Sequence, residues 1–561
     1  MWLLLCLCVL PALAQDAPSV NITQGVIIGS RVVDGDYLSF YGIHYGGNTA
    51  GANRFKAPTD PPQYPGEYHA INSDVICAQP STRGLIGTED CLVLNVHTKN
   101  LTTPKPVFVW LEGEEYESSS RILYPFKSIV QEGLVVVSIN YRLSIFGFLC
   151  LGVPEAPGNA GLKDVIKGLQ WIKDNIAAFG GDPNNVMLVG HGSGAAMVDL
   201  ITLSPMSRNL IHKAAVLSGS SLAPWAVSYD PIGYAQKVGD KLGYTGKTES
   251  ELARHFVTTD INVLSSVLTD FEFYNNTPLF APCVENVKLN GTFLPDAPIN
   301  IIRSGNYTDI PYIAGFTDRE GTLRAHQAAL RNWLSIMNAN FEDFLPVDLT
   351  FESEVIKANM SRNVRQFYFA QRAINMETIE DFLDYEGDVL ILVPVTRGVK
   401  ERALTSSSAV RLFQYAYRGT HNSDWVFPQI PVNGVRHGGI LNYLFNFDLK
   451  IDDNIASKSL IRRFVAFAQT GSPNPTVNPM TDWMPITRAL TSTLSISGEE
   501  VSPNVTIYKE VAMGTLNAER TNFWDEIFSA RYSPPRPVSS AESLLSIGLV
   551  VLLSQIVVKL M

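Results

Sequence analysis

Basic side chains are scarce in this chain of 561 residues. Lys and Arg number 43 against 54 Asp and Glu, and the formal net charge at pH 7 is −11. Because nucleic-acid phosphates are bound by basic surfaces, this balance argues against nucleic acid as a partner. Metal-ligand spacings are also missing among the six cysteines and nine histidines. We therefore predict neither a bound metal nor another cofactor.

Internal repeats, long low-complexity tracts and a central linker are absent as well, which favours one large domain. Apolar residues make up 46% of the chain, enough for a large core, and α/β folds of this length are often single domains. Short apolar runs alternate with helical stretches, at 106–111, 134–139, 186–189, 214–217, 310–314 and 410–417. This alternation predicts an α/β fold with a large, mostly parallel central sheet flanked by helices.

The most informative segment is the pentapeptide Gly190-His191-Gly192-Ser193-Gly194. It lies between an apolar strand and a predicted helix, where an α/β-hydrolase carries its nucleophile elbow, G-x-S-x-G. The middle residue here is Gly192, which has no hydroxyl. Ser193 comes one position late, and a shift of one residue turns a helical side chain by about 100°. We interpret Ser193 as a small residue of the first helical turn and retain it as a weak candidate nucleophile.

Several further segments resemble those of one known family. They are RFKAP at 54–58, EDCLVLNV at 89–96, NYRL at 140–143 with GFL at 147–149, GNAGLKD at 158–164 and FGGDP at 179–183. On these motifs the chain resembles a type-B carboxylesterase, the cholinesterase-like branch of the α/β-hydrolases. The resemblance extends over nearly the whole mature chain and implies the α/β-hydrolase fold.

The resemblance also implies two catalytic positions. Glu320, in GFTDREG at 315–321, has the place of the triad acid, and His437, in GVRHG at 434–438, has that of the base. The order nucleophile, acid, base suits an α/β-hydrolase. With Gly192 in the nucleophile position, the pair can also persist as a buried hydrogen-bonded pair without catalytic use. We favour this structural interpretation.

The oxyanion loop departs from the family pattern as well. In the family a buried strand leads into a His-Gly-Gly-Gly type loop, and here the equivalent strand is followed by Glu112, Gly113, Glu114 and Glu115. A side chain resists the conformations and close approaches that glycine allows. Two carboxylates would also oppose a developing oxyanion, and losing one oxyanion donor typically lowers the rate about 10²–10³-fold. The missing serine at position 192 and the carboxylates of the oxyanion loop lie in distant segments. Together they indicate a hydrolase scaffold that no longer cleaves esters.

The N-terminus indicates the secretory route. An apolar run followed by Ala12-Leu13-Ala14 predicts a signal peptide at 1–14, with the hydrolase-like domain at 15–530. By resemblance to the family, Cys77 and Cys91 form a disulfide, which suits a secreted chain. We expect Cys150 and Cys283 to pack in the core as small hydrophobes and leave their pairing open. Seven sequons could accept glycans: Asn21, Asn100, Asn275, Asn290, Asn306, Asn359 and Asn504.

The C-terminus carries a second targeting signal. A Pro/Ser-rich spacer at 531–543, which we expect to stay off the core, precedes an apolar tail at 544–561. A spacer followed by a terminal apolar tail predicts a GPI signal, which is removed on attachment. The alternative is a short single-pass anchor, since about 20 residues span a bilayer. We expect the protein on the extracellular face of the plasma membrane, with secretion as the alternative.

Three functions fit these features. The first, which we predict, is a cell-surface protein without catalysis that binds an extracellular protein partner, as neuroligins and neurotactin-like members of the family do; the other two are alternatives. The second is a carrier that holds a hydrophobic small molecule in the hydrolase pocket. The third is a residual hydrolase that uses Ser193 or water activated by His437. An open cavity around Gly192, Glu320 and His437 would favour the carrier, and a filled one the protein-binding surface.

Overall fold

The computed structural model describes residues 17–113, 115–119, 124–419, 430, 433–445, 449, 451–488, 491–502 and 505–538. The predicted signal peptide, the apolar tail at 544–561, Glu114 and Asn504 lie outside these residues.

Strands and helices alternate along the described chain, as the pattern of apolar runs predicts. The strands are β1 Ser19–Ile22, β2 Gly25–Ile28, β3 Ser30–Val32, β4 Tyr37–His44, β5 Tyr68–His69, β6 Gln79–Ser81, β7 Gly84–Ile86, β8 Val93–Thr98, β9 Lys105–Leu111, β10 Val135–Ile139, β11 Gly181–His191, β12 Lys213–Leu217, β13 Tyr312–Thr317, β14 Val410–Ala416, β15 Thr493–Ser502 and β16 Val505–Met513. The α-helices are α1 Lys127–Gln131, α2 Ser144–Phe148, α3 Ala160–Asn175, α4 Ser193–Leu203, α5 Pro231–Lys241, α6 Glu249–Thr258, α7 Ile261–Ser266, α8 Pro298–Ser304, α9 Ala325–Leu330, α10 Trp333–Ala339, α11 Glu354–Phe369, α12 Ile379–Gly387, α13 Val393–Thr405, α14 Gly439–Leu444, α15 Ile451–Thr470 and α16 Ala518–Arg531.

Eleven of the described strands form the central sheet, in the order β16-β15-β14-β13-β12-β11-β9-β10-β8-β4-β3. From β10 to β15 all neighbours in this order are parallel, and the pairs at both sides are antiparallel. The predicted fold class is therefore confirmed. After β10 the chain crosses to the other side of β9, so the strand order reverses between β9 and β11. In open α/β sheets, ligands bind beyond the carboxyl ends of strands at such a switch point.

The core lies on both faces of this sheet. Along β9, Val107, Val109 and Leu111 belong to the apolar cluster on one face, and Phe108 and Trp110 to the cluster on the other. A strand covered on both faces reads as a continuous apolar run rather than as an alternation. This is why the segment was recognisable as a central strand.

Cys150 and Cys283 are both buried, as expected, and they form a disulfide with each other, a pairing that the sequence left open. Their sequence separation of 133 residues hid the pairing. Asn159 holds the second cysteine in place, because its amide bonds both the backbone oxygen (2.8 Å) and the backbone N–H (2.9 Å) of Cys283. The structure also contains the expected Cys77–Cys91 disulfide.

The first part of the Pro/Ser-rich spacer lies on the domain, which corrects the expectation that the spacer stays off the core. Ser533 N donates to Asp348 O at 2.8 Å, and Val538 N donates to Val284 O at 2.9 Å. The Val538 side chain is buried against the Cys150–Cys283 disulfide. Apolar burial and backbone pairing outweigh the turn-forming composition of this segment.

The described sequons differ in exposure. Asn21, Asn100, Asn290, Asn306 and Asn359 are exposed, and Asn275 is half-buried. Among the described residues, no helix combines the length and the apolar character that crossing a bilayer requires.

Candidate active site

The turn between β11 and α4 is centred on Gly192, whose φ of +57° and ψ of −123° lie in a region that favours glycine. Its neighbours are closely packed. A Cβ on Gly190 would come within 2.4 Å of Gly194 O, and one on Gly194 within 2.3 Å of Leu111 O. Apart from its two chain neighbours, the described atoms within 4 Å of a Cβ on Gly192 would be Gly113 O, at 3.5 Å, and His437 Nε2, at 3.7 Å. A side chain at position 192 would therefore project towards the imidazole.

The structure brings Glu320 and His437 together, although 117 residues separate them. Glu320 follows β13, and its buried carboxylate lies 2.6 Å from His437 Nδ1. The other carboxylate oxygen accepts hydrogen bonds from Ser218 Oγ and Thr317 N, both at 2.6 Å. His437 N donates to Thr322 Oγ1 at 2.8 Å. The acid is thus fixed from three sides, and the imidazole is oriented with Nε2 towards Gly192.

Ser193, the weak candidate nucleophile, is the first residue of α4 and is buried. Its Oγ accepts a hydrogen bond from Tyr116 N at 3.2 Å. A Cβ on Gly113 would lie 2.7 Å from this oxygen, so the hydroxyl points at the loop after β9. The side chain therefore holds the oxyanion loop, in keeping with its interpretation as a residue of the first helical turn.

The oxyanion loop has an unusual backbone. Glu115 and Tyr116 adopt φ values of +51° and +64°, a left-handed conformation that residues with a Cβ rarely take. The Tyr116 ring is fully buried beside Phe148 and Trp225. Its N–H is bound to Ser193, and the Glu115 carboxylate forms an ion pair with Arg324. The Tyr116 N–H and the Glu115 carboxylate thus both have protein partners.

A second imidazole lies beside the first. His191 is buried, and its ring centroid is 4.6 Å from that of His437. Burial, and then the neighbouring His437 and Arg436, hold the pKa of His191 well below its usual value. His191 is therefore neutral at physiological pH.

An open cavity of about 270 Å³ reaches the turn, with Gly113, Gly192, Ser193 and His437 in its wall. Apolar and aromatic side chains line much of the rest, among them Trp225, Leu268, Phe271, Leu279, Trp333 and Ile391. Charged groups complete the wall: Glu115, Glu117, Glu272, Arg324 and Arg331. Burial, and then Glu115, raise the pKa of Glu117 to about 7, opposed by Arg324. The cavity is amphiphilic.

No group of three or more His, Cys, Asp or Glu side chains is placed to hold a metal ion within the part of the chain that the structure describes.

The sequence predicted that Gly192, Glu320 and His437 belong to one site. It did not predict three of the residues that contact this site, which are Ser218, Tyr116 and Arg324. Ser218 follows β12 directly, and a polar residue at the carboxyl end of a central strand was the signal for it. The contacts of Tyr116 with Ser193 and of Arg324 with Glu115 had no local signal, because each joins distant parts of the chain.

The parallel sheet, the turn after β11 and the Glu320–His437 pair together define an α/β-hydrolase. The model of the carboxylesterase family matches residues 16–524. The chain belongs to the carboxylesterase family.

Three relatives illustrate the similarity. Esterase FE4 of Myzus persicae is 28% identical over 86% of this chain and 89% of its own length. Venom carboxylesterase-6 of Apis mellifera is 28% identical over 83% of this chain and 89% of its own. Bile salt-activated lipase of Bos taurus is 29% identical over 96% of this chain and 92% of its own.

Proposed function

We propose that this protein binds a small amphiphilic molecule in the hydrolase cavity without cleaving it. The observation that carries the proposal is the open cavity at Gly192, where the turn offers space beside His437 but no hydroxyl. Covalent ester cleavage needs a nucleophile next to a base. The neighbouring hydroxyl, on Ser193, faces the loop amide of Tyr116.

The oxyanion loop supports the same proposal. An oxyanion hole needs donors aimed at the substrate oxygen. Where the family has a glycine, Glu115 places a carboxylate in the cavity wall, with Arg324 as its ion-pair partner. A side chain here departs from the bare backbone of a glycine loop, while the apolar wall still favours binding of hydrocarbon.

The names of the relatives indicate the class of ligand. Esterases and a lipase act on esters and lipids, and the same scaffold here retains a cavity of about 270 Å³ with an apolar and a charged part. We infer an uncharged or weakly charged amphiphile. An open cavity favours this carrier over a protein-binding surface, and residual hydrolysis by water at His437 is the third hypothesis.

We propose further that the carrier acts outside the cell, attached by a GPI anchor. Two disulfides suit an oxidising compartment. Five exposed sequons suit glycosylation on the secretory route. The predicted signal peptide at 1–14 supports the secretory route, and the apolar tail at 544–561 supports the GPI anchor.

The experiment measures binding and cleavage of one ester together. The purified protein is incubated with p-nitrophenyl octanoate and passed rapidly through a desalting column, and intact ester and free p-nitrophenol are quantified in the protein fraction and in the filtrate. We expect intact ester to elute with the protein, and p-nitrophenol release no faster than with a heat-denatured sample.

Two leucine variants provide the matched control. Leu323→Trp replaces a leucine side chain of the cavity wall with a larger indole ring, which takes up space in the cavity and should abolish co-elution of the ester. Leu404→Trp changes a residue that is 48% exposed and lies outside this wall, and should retain it. Equal binding by both variants would contradict the cavity as the binding site. Turnover of the ester by the native protein would contradict the carrier.

A further inference from the structure

The segment that follows α16 is bound to the domain at both of its ends. We call residues 532–538 the C-terminal strap. Near its start, Ser533 N donates to the backbone oxygen of Asp348 at 2.8 Å. At its end, the side chain of Val538 is buried against the Cys150–Cys283 disulfide. The strap therefore belongs to the folded domain, although it leads towards the C-terminal tail.

A buried carboxyl group lies where the strap begins. Asp348 is fully buried, and among the described residues neither of its side-chain oxygens has a hydrogen-bond partner. Arg397 on α13 acts on it electrostatically, but the guanidinium group lies over two aromatic rings, 4.0 Å from the centre of Phe528 and 4.6 Å from that of Tyr532. A buried carboxylate without a hydrogen bond is costly, so this environment favours the neutral acid.

The groups that face this carboxyl come from three elements. They are Arg397 on α13, Tyr229 before α5 and Tyr532 of the strap, with Arg303 of α8 near the tyrosine of the strap. Burial holds the pKa of Tyr229 well above its ordinary value and raises that of Tyr532 to about 12. Burial also raises the pKa of Asp348 to about 7, partly offset by Arg397. Asp348 therefore changes its charge in a pH range in which both tyrosines stay neutral.

We propose that the proton of Asp348 controls the strap: the neutral carboxyl group keeps the strap docked, and loss of the proton releases it. An ionised carboxylate needs water, and moving Ser533 and Tyr532 away from Asp348 would admit water to it. Release of the seven residues 532–538 lengthens the chain between α16 and the tail by up to about 24 Å. None of these residues lies in the cavity wall, so the inference goes beyond the proposed function.

Hydrogen–deuterium exchange of the purified protein between pH 5 and pH 9 tests the inference. Exchange in the peptide that covers the strap is divided by the intrinsic rate at each pH, which gives a protection factor for the Ser533 and Val538 amides. Because the pKa of Asp348 is raised in the docked state, docking weakens as pH rises towards 7. With an ordinary pKa of about 4 after release, the protection factor should fall roughly 80-fold between pH 5 and pH 8. Peptides from β9 should show no such fall.

Two aspartate variants provide the matched comparison. Asp348→Asn keeps a neutral side chain at every pH and should retain the protection of the strap. Asp34→Asn changes a side chain that is 94% exposed and should lose protection as the native protein does. Protection that does not change with pH would overturn the inference, and so would a fall that persists in Asp348→Asn. The native profile is decisive even if Asp348→Asn does not fold, because the fall should level off above about pH 7, and a fall that continues unchanged to pH 9 would overturn the inference.

Discussion

Gly192→Ser restores a hydroxyl at the turn between β11 and α4. Its Cβ would lie 3.7 Å from His437 Nε2, and the imidazole is already held by Glu320 at 2.6 Å. The new hydroxyl would therefore come within hydrogen-bond reach of the base. Loss of a triad serine lowers kcat by about 10⁶-fold, which sets the scale of what this substitution can recover.

The oxyanion loop limits the recovery. Glu114 and Glu115 stand where the family has glycines, and the Glu115 carboxylate lies in the cavity wall. Each missing oxyanion donor lowers the rate about 10²–10³-fold. Gly192→Ser alone should therefore be slower, by at least this factor, than a serine with a complete oxyanion hole. A Cβ at a φ of +57° also destabilises the turn, by about 1–3 kcal/mol. Glu114→Gly with Glu115→Gly should then raise activity far more when combined with Gly192→Ser than in the native background, because triad and hole act on one transition state.

The assay is hydrolysis of p-nitrophenyl butyrate by four proteins: native, Gly192→Ser, the double loop variant and the triple variant. Gly192→Ala serves as the control for a Cβ without a hydroxyl. If Gly192→Ser alone is as fast as the triple variant, the reasoning about the loop is wrong. A folded triple variant with no activity would show that the Glu320–His437 pair is not in triad geometry.

Two further predictions concern stability and location. Asp348 is fully buried, and burial raises its pKa to about 7, partly offset by Arg397. A native-state pKa above the ordinary value means that the folded protein loses stability as pH rises from about 4 to about 7. Asp348→Asn should remove this share of the pH dependence, so the stability of the native protein should fall relative to the variant by roughly 4 kcal/mol between about pH 4 and pH 8, measured by urea denaturation. A difference that does not change with pH would contradict this. Phosphatidylinositol-specific phospholipase C should release the protein from cells without peptides from 544–561, and detection of those peptides by mass spectrometry in surface protein would favour a transmembrane anchor.

The parts of the molecule that the sequence predicted share a physical origin. Strand β9 is apolar throughout because both faces of the sheet are covered, and the glycines at 190 and 194 are required by contacts within 2.4 Å. Local constraints of this kind leave a local pattern. The family motifs then placed Glu320 and His437, which the structure brings to 2.6 Å.

The parts that the sequence did not predict depend on contacts between distant segments. Cys150 and Cys283 come together because separate loops fold onto one another, and each cysteine alone looks like any buried apolar residue. Val538 is buried by the same region, although its neighbours have a linker-like composition. The hydrogen bond from Tyr116 to Ser193 joins residues 77 apart and explains where the only hydroxyl in the pentapeptide points.

Labelling with a fluorophosphonate tests most directly whether this site lacks a nucleophile. The reagent forms a covalent bond with an activated serine hydroxyl, which Gly192 cannot supply. We predict no labelling of the native protein, with stoichiometric labelling of an active carboxylesterase under the same conditions. Stoichiometric labelling of the native protein, mapped by mass spectrometry to Ser193, would contradict the account.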